Sequence, residues 1–382
     1  MAKDSSISTA RNVIRVGVIG LSASGGWAAR AHHPALSALS GFEVTALCTS
    51  TEATARAAAA RFGVGLAFTN PRDLAAADEV DLVVVGVKVP LHRVMVEAAI
   101  DAGKPVLCEW PLSTTAEEAV SVAARARTAG IRTAIGLQAR WSGAIRYLRD
   151  LVRDGYVGEV LSTTLIGSGP SWGGTTTRAS HYLLDQANGA TMVTIPFGHT
   201  IDALTMVLGN VISVQAMTDI RQPAVMDTGS HTTHTKSAAD QLLVAGRMAS
   251  GATLSVHYRG GTSRGTNLLW EINGSDGDIQ VVGPSGHMQT GRLTLRAARH
   301  EEKELTRLIV PDRYHQIPGL TADHVCAPVA HLYQALWRDM RSAGTTVPDF
   351  DMAVQRHQLL GTIERSALAG TRIDIPSSTS GP

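Results

Sequence analysis

The chain has 382 residues, 44% of them apolar and 18% charged, with a formal net charge of +1. That length leaves room for two domains with sizeable cores, and the balance is that of a soluble globular protein. Near-neutrality argues against nucleic-acid or membrane-surface binding driven by bulk charge. The three cysteines, Cys48, Cys108 and Cys326, lack Cys-x-x-Cys spacing, so neither a disulfide framework nor a zinc knuckle is expected, only small buried hydrophobes. The longest apolar run, Leu82 to Val87, is too short to span a bilayer. Residues 1–12 lack the basic-then-apolar signature of a secretory signal and read as a flexible tail, so a cytoplasmic location is expected.

From Val13 to Gln138 short apolar runs alternate with helical ones. Val13 to Gly20 reads as a first strand, followed by a Gly/Ser-rich loop and an Ala-rich helix from Trp27 to Leu39. Glu43 to Cys48 is a second strand. Thr49-Ser50-Thr51-Glu52 then supplies a cap cluster for a helix running to Phe62. Asn70-Pro71 opens a third helix with proline at its first position. Leu82 to Val87 is apolar on both faces, as a buried parallel strand requires. Leu91 to Ala102 is helical and Gly103 ends it. Val106 to Cys108 form a short strand that runs into Glu109-Trp110-Pro111, and proline biases Trp110 towards extended backbone at the strand mouth. Thr114-x-x-Glu117 reads as a capping box for the next helix, and Arg132 to Leu137 as the last strand of the region. Five strands with crossover helices predict a doubly wound parallel sheet.

After Gln138 the pattern changes. Ser142 to Asp154 reads as one helix. Strand-like segments then dominate, at 160–166, 211–217, 241–246, 253–258, 268–273, 279–282, 293–297 and 304–310. Alternation separated by Gly-rich turns predicts a large, mostly antiparallel sheet, with helices at 190–208, 322–343 and 352–369. The fold class is therefore α/β. A tail at 1–12 precedes a dinucleotide-type domain at 13–138. A second α/β domain covers 139–376, with its last helix placed to pack back on the first domain, and a tail covers 377–382.

The first loop, Gly20-Leu21-Ser22-Ala23-Ser24-Gly25-Gly26-Trp27, approximates the G-x-G-x-x-G fingerprint that lets backbone approach a pyrophosphate. Gly20 and Gly25 fill the first and third places and Ser22 the second. Strand two ends without the acid that holds a ribose 2′-hydroxyl in NAD binders. It ends instead in Thr49 and Ser50, with Arg56 a turn into the helix, which tips the expected cofactor from NAD towards NADP.

Five motifs occur in family order: Arg15-Val16-Gly17-Val18-Ile19-Gly20, Val87-Lys88-Val89-Pro90-Leu91-His92, Gly103 to Leu112, Gly136-Leu137-Gln138-Ala139-Arg140, and Gly198-His199-Thr200-Ile201-Asp202. On these the chain resembles the Gfo/Idh/MocA oxidoreductases over nearly its full length, and within them the subgroup of the yeast galactose-regulon repressor. The resemblance implies an N-terminal Rossmann domain that binds NAD(P), a C-terminal α/β domain whose open sheet supports a homo-oligomer (dimer or tetramer), and oxidation or reduction of a sugar or polyol. It places the cofactor against Gly20, Leu21, Ser22, Ser24, Gly25, Trp27, Thr49, Ser50, Arg56, Val87, Lys88, Pro90, His92, Glu109, Trp110 and Gln138.

Two departures bear on chemistry. Where the family's enzymes carry a lysine after the strand-five glutamate, this chain has Trp110, whose indole cannot shuttle a proton. Where they carry an aspartate four residues before the histidine, it has Ile195. Proton handling is therefore expected from His199, helped by Lys88 or Tyr182. Lys88 has two readings: a phosphate or cofactor contact, which is preferred, and a partly desolvated lysine that could polarise a carbonyl. Trp110, Arg140, Trp172, Asp185 and Asp202 are expected to line the substrate side. His231 and His234 lie near Asp227, but the stretch reads as loop, so no metal is expected. Two functions remain open: an NAD(P)-dependent oxidoreductase of a sugar, polyol or related small molecule, and a non-catalytic NADP-binding regulator. Neither reading calls for a nucleic-acid or membrane partner.

Overall fold

The structure, a computed structural model, describes residues 13–290 and 292–376. The expected tails at 1–12 and 377–382 lie outside the described residues. The chain divides into two compact units, Met1–Gln138 with Ile317–Gln355, and Ala139–Gln316 with Arg356–Pro382.

The first unit is built on β1 (Ile14–Ile19), β2 (Phe42–Cys48), β3 (Leu66–Phe68), β4 (Leu82–Val85), β5 (Val106–Glu109) and β6 (Thr133–Gly136), in the order β3-β2-β1-β4-β5-β6. All pair in parallel. The strand order reverses between β1 and β4, which is where open α/β sheets bind ligands at the strand C-termini. Strand β3 is the addition to the expected five; three residues carry no readable period. Helices α1 (His33–Ser37), α2 (Glu52–Phe62), α3 (Pro71–Ala76), α4 (His92–Asp101) and α5 (Ala116–Thr128) make the crossovers. The cap of α5 falls one residue later than expected. Thr115 Oγ1 accepts from the Glu118 N–H, while Glu118 Oε2 accepts from the Thr114 N–H and hydroxyl. Adjacent Thr-Thr and Glu-Glu pairs leave that register open by one in the sequence.

The expected helix at 27–39 is interrupted. Ala28–His32 forms a wide turn before α1, closed by the His33 N–H on the Ala28 carbonyl. Pro34 has no N–H to continue an ordinary ladder.

The second unit contains α6 (Gly143–Arg153), β7 (Val160–Gly169), β8 (Thr175–Thr176), α7 (Gly198–Leu208), β9 (Val211–Asp219), β10 (Ala224–Asp227), β11 (Thr233–Thr235), β12 (Gln241–Met248), β13 (Thr253–Gly260), β14 (Leu268–Gly274), β15 (Gly277–Gly283), β16 (Thr294–Arg299), β17 (Thr306–Leu308) and, near its end, β18 (Ile373–Asp374). Nine strands form one sheet, β17-β16-β15-β14-β7-β13-β12-β9-β18. It is antiparallel throughout except for β7 with β13. A separate small sheet, β11-β10-β8, stands where the sequence read as loop, because Thr233-His234-Thr235 presents no apolar alternation. Ahead of α7, Val193–Phe197 is again a wide turn at a proline, Pro196. The stretch Gln186–Leu208 has the length and apolarity of a membrane span, yet 83% of its apolar window is buried inside the protein, as befits a core helix.

The change of pattern after Gln138 predicts one domain over 139–376. In the structure Ile317–Gln355 groups with the first unit. The reason is α8 (Ala327–Ser342), which packs on α1 and β6. It buries Tyr333 against Phe42 and His32. The last helix, α9 (Phe350–Ala369), passes from one unit to the other at Gln355.

Candidate functional site: a dinucleotide cradle and a buried histidine cluster

In the first unit β1 delivers the chain to Gly20, whose φ of 98° suits glycine. A Cβ there would lie 2.7 Å from the Gly86 carbonyl oxygen. Gly25 and Gly26 also have positive φ, 110° and 101°, and added Cβ atoms would meet nothing within 4 Å. The loop is thus bare backbone facing open space, tied by the Gly25 N–H to the Ser22 carbonyl and by the Ser22 and Ser24 hydroxyls at 2.8 Å. Trp27 Nε1 is a buried donor with no hydrogen-bond partner. Arg61 of α2 donates to the Ala23 carbonyl and so braces the loop from outside. Nothing local in the sequence marks Arg61 for that role. Leu21, expected among the cofactor contacts, is fully buried in the core and can offer only backbone.

At the end of β2 the Thr49 and Thr54 hydroxyls are 2.8 Å apart, and Thr51 and Thr54 form a reciprocal cap on α2. Ser50 is exposed. Arg56 is exposed and pairs with Glu52 one turn away, 3.2 Å. Hydroxyls are present where NAD binders carry an acid, but two of the residues expected to meet a 2′-phosphate are engaged locally.

The mouth of β5 is a closed polar network. Glu109 Oε1 accepts from Gln138 Nε2 at 2.5 Å and lies 2.8 Å from His32 Nε2. A carboxylate accepts, so His32 donates through Nε2 and its Nδ1 accepts from the Tyr333 hydroxyl at 2.7 Å. A Cβ on Gly136 would come within 2.5 Å of Glu109 Oε1, which explains the glycine. Gln138 Oε1 is buried with no hydrogen-bond partner, an acceptor that a ligand N–H or O–H would satisfy. His92 was expected at the cofactor. Both its nitrogens instead face backbone carbonyls, Pro111 O at 2.7 Å and Val87 O at 3.0 Å, so it ties the β4 and β5 loops together. Trp110 is 4% exposed. Lys88 is exposed, which fits the cofactor contact and not the partly desolvated lysine.

The second unit holds the other expected residues. His199 lies in α7, 3% exposed, next to Thr200. Burial and the neighbouring His199 hold the His287 imidazole down at about 4, so His287 is neutral at pH 7. Nothing local in the sequence marks His287, which follows a Pro-Ser-Gly turn. Its Nδ1 is 3.0 Å from Gln289 Nε2, and Gln289 Oε1 is buried with no partner. Trp172, expected on the substrate side, lies in the core. It is 1% exposed, stacks on His287 with centroids 5.7 Å apart, and donates to the Ala190 carbonyl. Arg140 is committed to Asp202, with Nε to Oδ2 at 2.8 Å and Nη2 to Oδ1 at 2.5 Å, and Arg356 binds the same carboxylate at 2.9 Å. That buried trio takes both Arg140 and Asp202 out of the expected substrate contacts. Asp185 is exposed and caps a short turn, accepting from the Ala187 N–H and the Ser237 hydroxyl. Tyr182 is partly buried, and burial raises its hydroxyl above the usual range.

The sheet order and the bare glycine loop at its switch point define a Rossmann dinucleotide-binding domain. Residues 14–137 match the oxidoreductase family with NAD-binding Rossmann fold, and residues 143–283 match the Gal80p C-terminal domain. The regulatory protein GAL80 of galactose/lactose metabolism from Saccharomyces cerevisiae is 31% identical over 77% of this chain and 72% of its own. Dehydrogenase aclE of Aspergillus oryzae is 31% identical over 71% and 77%. A crystal structure of a super-repressor mutant of Gal80p from Saccharomyces cerevisiae superposes with a TM-score of 0.85 at 26% identity, covering 95% of this chain and 98% of that one. A levoglucosan dehydrogenase in complex with NADH and L-sorbose shares the fold, TM-score 0.82 at 20% identity over 95% and 99%. The chain belongs to the Gfo/Idh/MocA oxidoreductase family and is similar to its Gal80 members.

Proposed function

We propose that the chain is an NAD(P)-dependent oxidoreductase acting on a hydroxyl or carbonyl of a sugar, polyol or related small molecule. The observation that carries the nucleotide half of this reading is the switch-point loop, with open backbone at Gly25 and Gly26 beside the unpartnered Trp27 Nε1. Family membership supports the oxidoreductase half. The bound dinucleotide would supply hydride chemistry. The loop backbone would hold the pyrophosphate, and Gln138 Oε1, fixed through Glu109 and His32, would accept from the ligand. The hydroxyl-bearing end of β2 favours NADP over NAD. Exposed Lys88 is assigned to cofactor contact. His199 is assigned the proton; His287 beside it is neutral and can take or pass a hydrogen bond without adding charge. Tyr182, raised by burial, keeps its proton at neutral pH and can donate a hydrogen bond from its hydroxyl.

Calorimetric titration with NAD, NADP and their reduced forms, then a turnover screen with the tightest binder, tests the proposal. His199→Ala is expected to lower kcat by about two orders of magnitude or more; unchanged turnover would remove His199 from the mechanism.

A second reading, a nucleotide-binding regulator without turnover, is favoured by one observation: Trp110 and Ile195 replace both of the family's other proton-handling residues. Similarity to the GAL80 regulators supports it. Tight nucleotide binding with no turnover across sugars and polyols would select this reading. The proposal also includes self-association through the outer face of the large sheet.

A further inference from the structure

His181, Asp227 and His234 come from three places in the sequence and converge in the second unit. Asp227 ends β10, and His234 sits in β11 opposite Val225, two residues from Asp227 on the same face of the antiparallel pair. His181 comes from the turn segment Arg178–Leu183. Each offers one ligand atom, and the three atoms lie within 4.8 Å of one another. His181 Nε2 is 2.5 Å from Asp227 Oδ2. The two imidazole centroids are 4.1 Å apart with planes tilted by 45°.

The surroundings hold this set in place. Asp227 is 2% exposed. Its Oδ1 accepts from the Gly229 and Ser230 N–H groups at 2.8 and 2.9 Å, leaving Oδ2 aimed at His181. His234 Nε2 is 3.1 Å from the Thr232 hydroxyl, itself 2.7 Å from the Ser230 hydroxyl. That leaves Nδ1 of the ring for a ligand. Oriented imidazoles and a carboxylate anchored by its second oxygen are the outer-shell features that metal sites use. A simple Asp–His pair accounts for His181 and Asp227, but not for a second imidazole tilted onto the first. The imidazoles and carboxylate provide borderline nitrogen and oxygen donors, the set that suits zinc and its first-row neighbours better than calcium or magnesium.

We propose that His181, Asp227 and His234 bind one divalent ion of the zinc type, with a coordination position left for water. The ion clips the Arg178–Leu183 segment to the small β11-β10-β8 sheet. Adjacent His231 is no part of it. That residue is exposed, with a φ of 57°, and its backbone N–H donates to the Asp227 carbonyl.

The test uses the untagged full-length chain, stripped of metal and titrated with Zn2+, with Co2+ as the absorbing surrogate. One equivalent per chain is expected, with the Co2+ ligand-field bands of a low-coordinate site and a rise in Tm with free Zn2+. His181→Gln and His234→Gln, each checked for fold by circular dichroism, should weaken binding at least about tenfold and abolish the Tm shift. His231→Asn, which tolerates the left-handed backbone, should bind as the parent does. Absence of saturable binding in the parent overturns the proposal. So does equal binding by the folded glutamine variants, or a loss in His231→Asn as large as in His234→Gln, which would mark adventitious surface histidines.

Discussion

Asp202 has no exposed surface, and its carboxylate is shared by Arg140 and Arg356. The two guanidinia hold the carboxyl below its ordinary range against the opposing effect of burial. Removing the acid would leave two cations facing each other with little water. Breaking a buried pair from one side costs about 3–5 kcal/mol. Asp202→Ala is therefore expected to lose that much in chemical denaturation, and a loss below about 1 kcal/mol would show the guanidinia to be solvated. His287 gives a pH prediction. Its value of about 4 lies below the ordinary 6.5, and burial lowers buried His92 in the same direction. Between these pH values the unfolded chain binds protons that the folded chain does not, so stability falls as pH drops from about 6.5 towards 4. Thermal melts at pH 7 and pH 5 should show the fall, and His287→Gln should reduce it.

At the scale of elements, Gly167 of β7 pairs with Tyr258 of β13. An added Cβ would lie 2.0 Å from Tyr258 Cζ, so the glycine is the floor on which the ring rests. The Tyr258 hydroxyl donates to Thr200 Oγ1 at 2.7 Å and lies 3.0 Å from the Gly286 carbonyl. The sheet thereby sets the position of α7 and of His199. Gly167→Ala is expected to cost about 1–3 kcal/mol through overpacking, while Tyr258→Phe keeps the ring and costs about 1 kcal/mol for the hydrogen bond. Urea titrations of the two variants should separate these effects. If both are neutral, the strand pair does not hold the helix.

For the whole molecule, the outer face of the nine-stranded sheet is the feature that composition could not reveal. Leu243 and Met217 are register neighbours, 39% and 54% exposed, and the row continues through His257 and Ile166. An apolar row on an open sheet favours association with a second copy. Sedimentation is expected to show an oligomer for the parent chain and a smaller species for Leu243→Lys. A monomeric parent would remove self-association from the proposal.

The sequence by itself determined the alternating strand–helix order of residues 13–138, the glycine loop at Gly20 to Gly26, the mostly antiparallel second sheet, and the substitution of Trp110 and Ile195 at two family positions. These are local properties: strand and helix periods, glycine and proline punctuation, and residue identity at a motif. Only the tertiary structure decided which polar atoms are engaged. It took Arg140 and Asp202 for a buried ion-pair trio, Trp172 for the core and His92 for loop ties, and it joined His32, Glu109, Gln138 and Tyr333 in one network. It also moved Ile317–Gln355 to the first unit and brought His181 to Asp227 and His234. Such partnerships link positions tens to hundreds of residues apart. Hydrogen-bonding capacity is written in each residue, but the partner that uses it is set by topology.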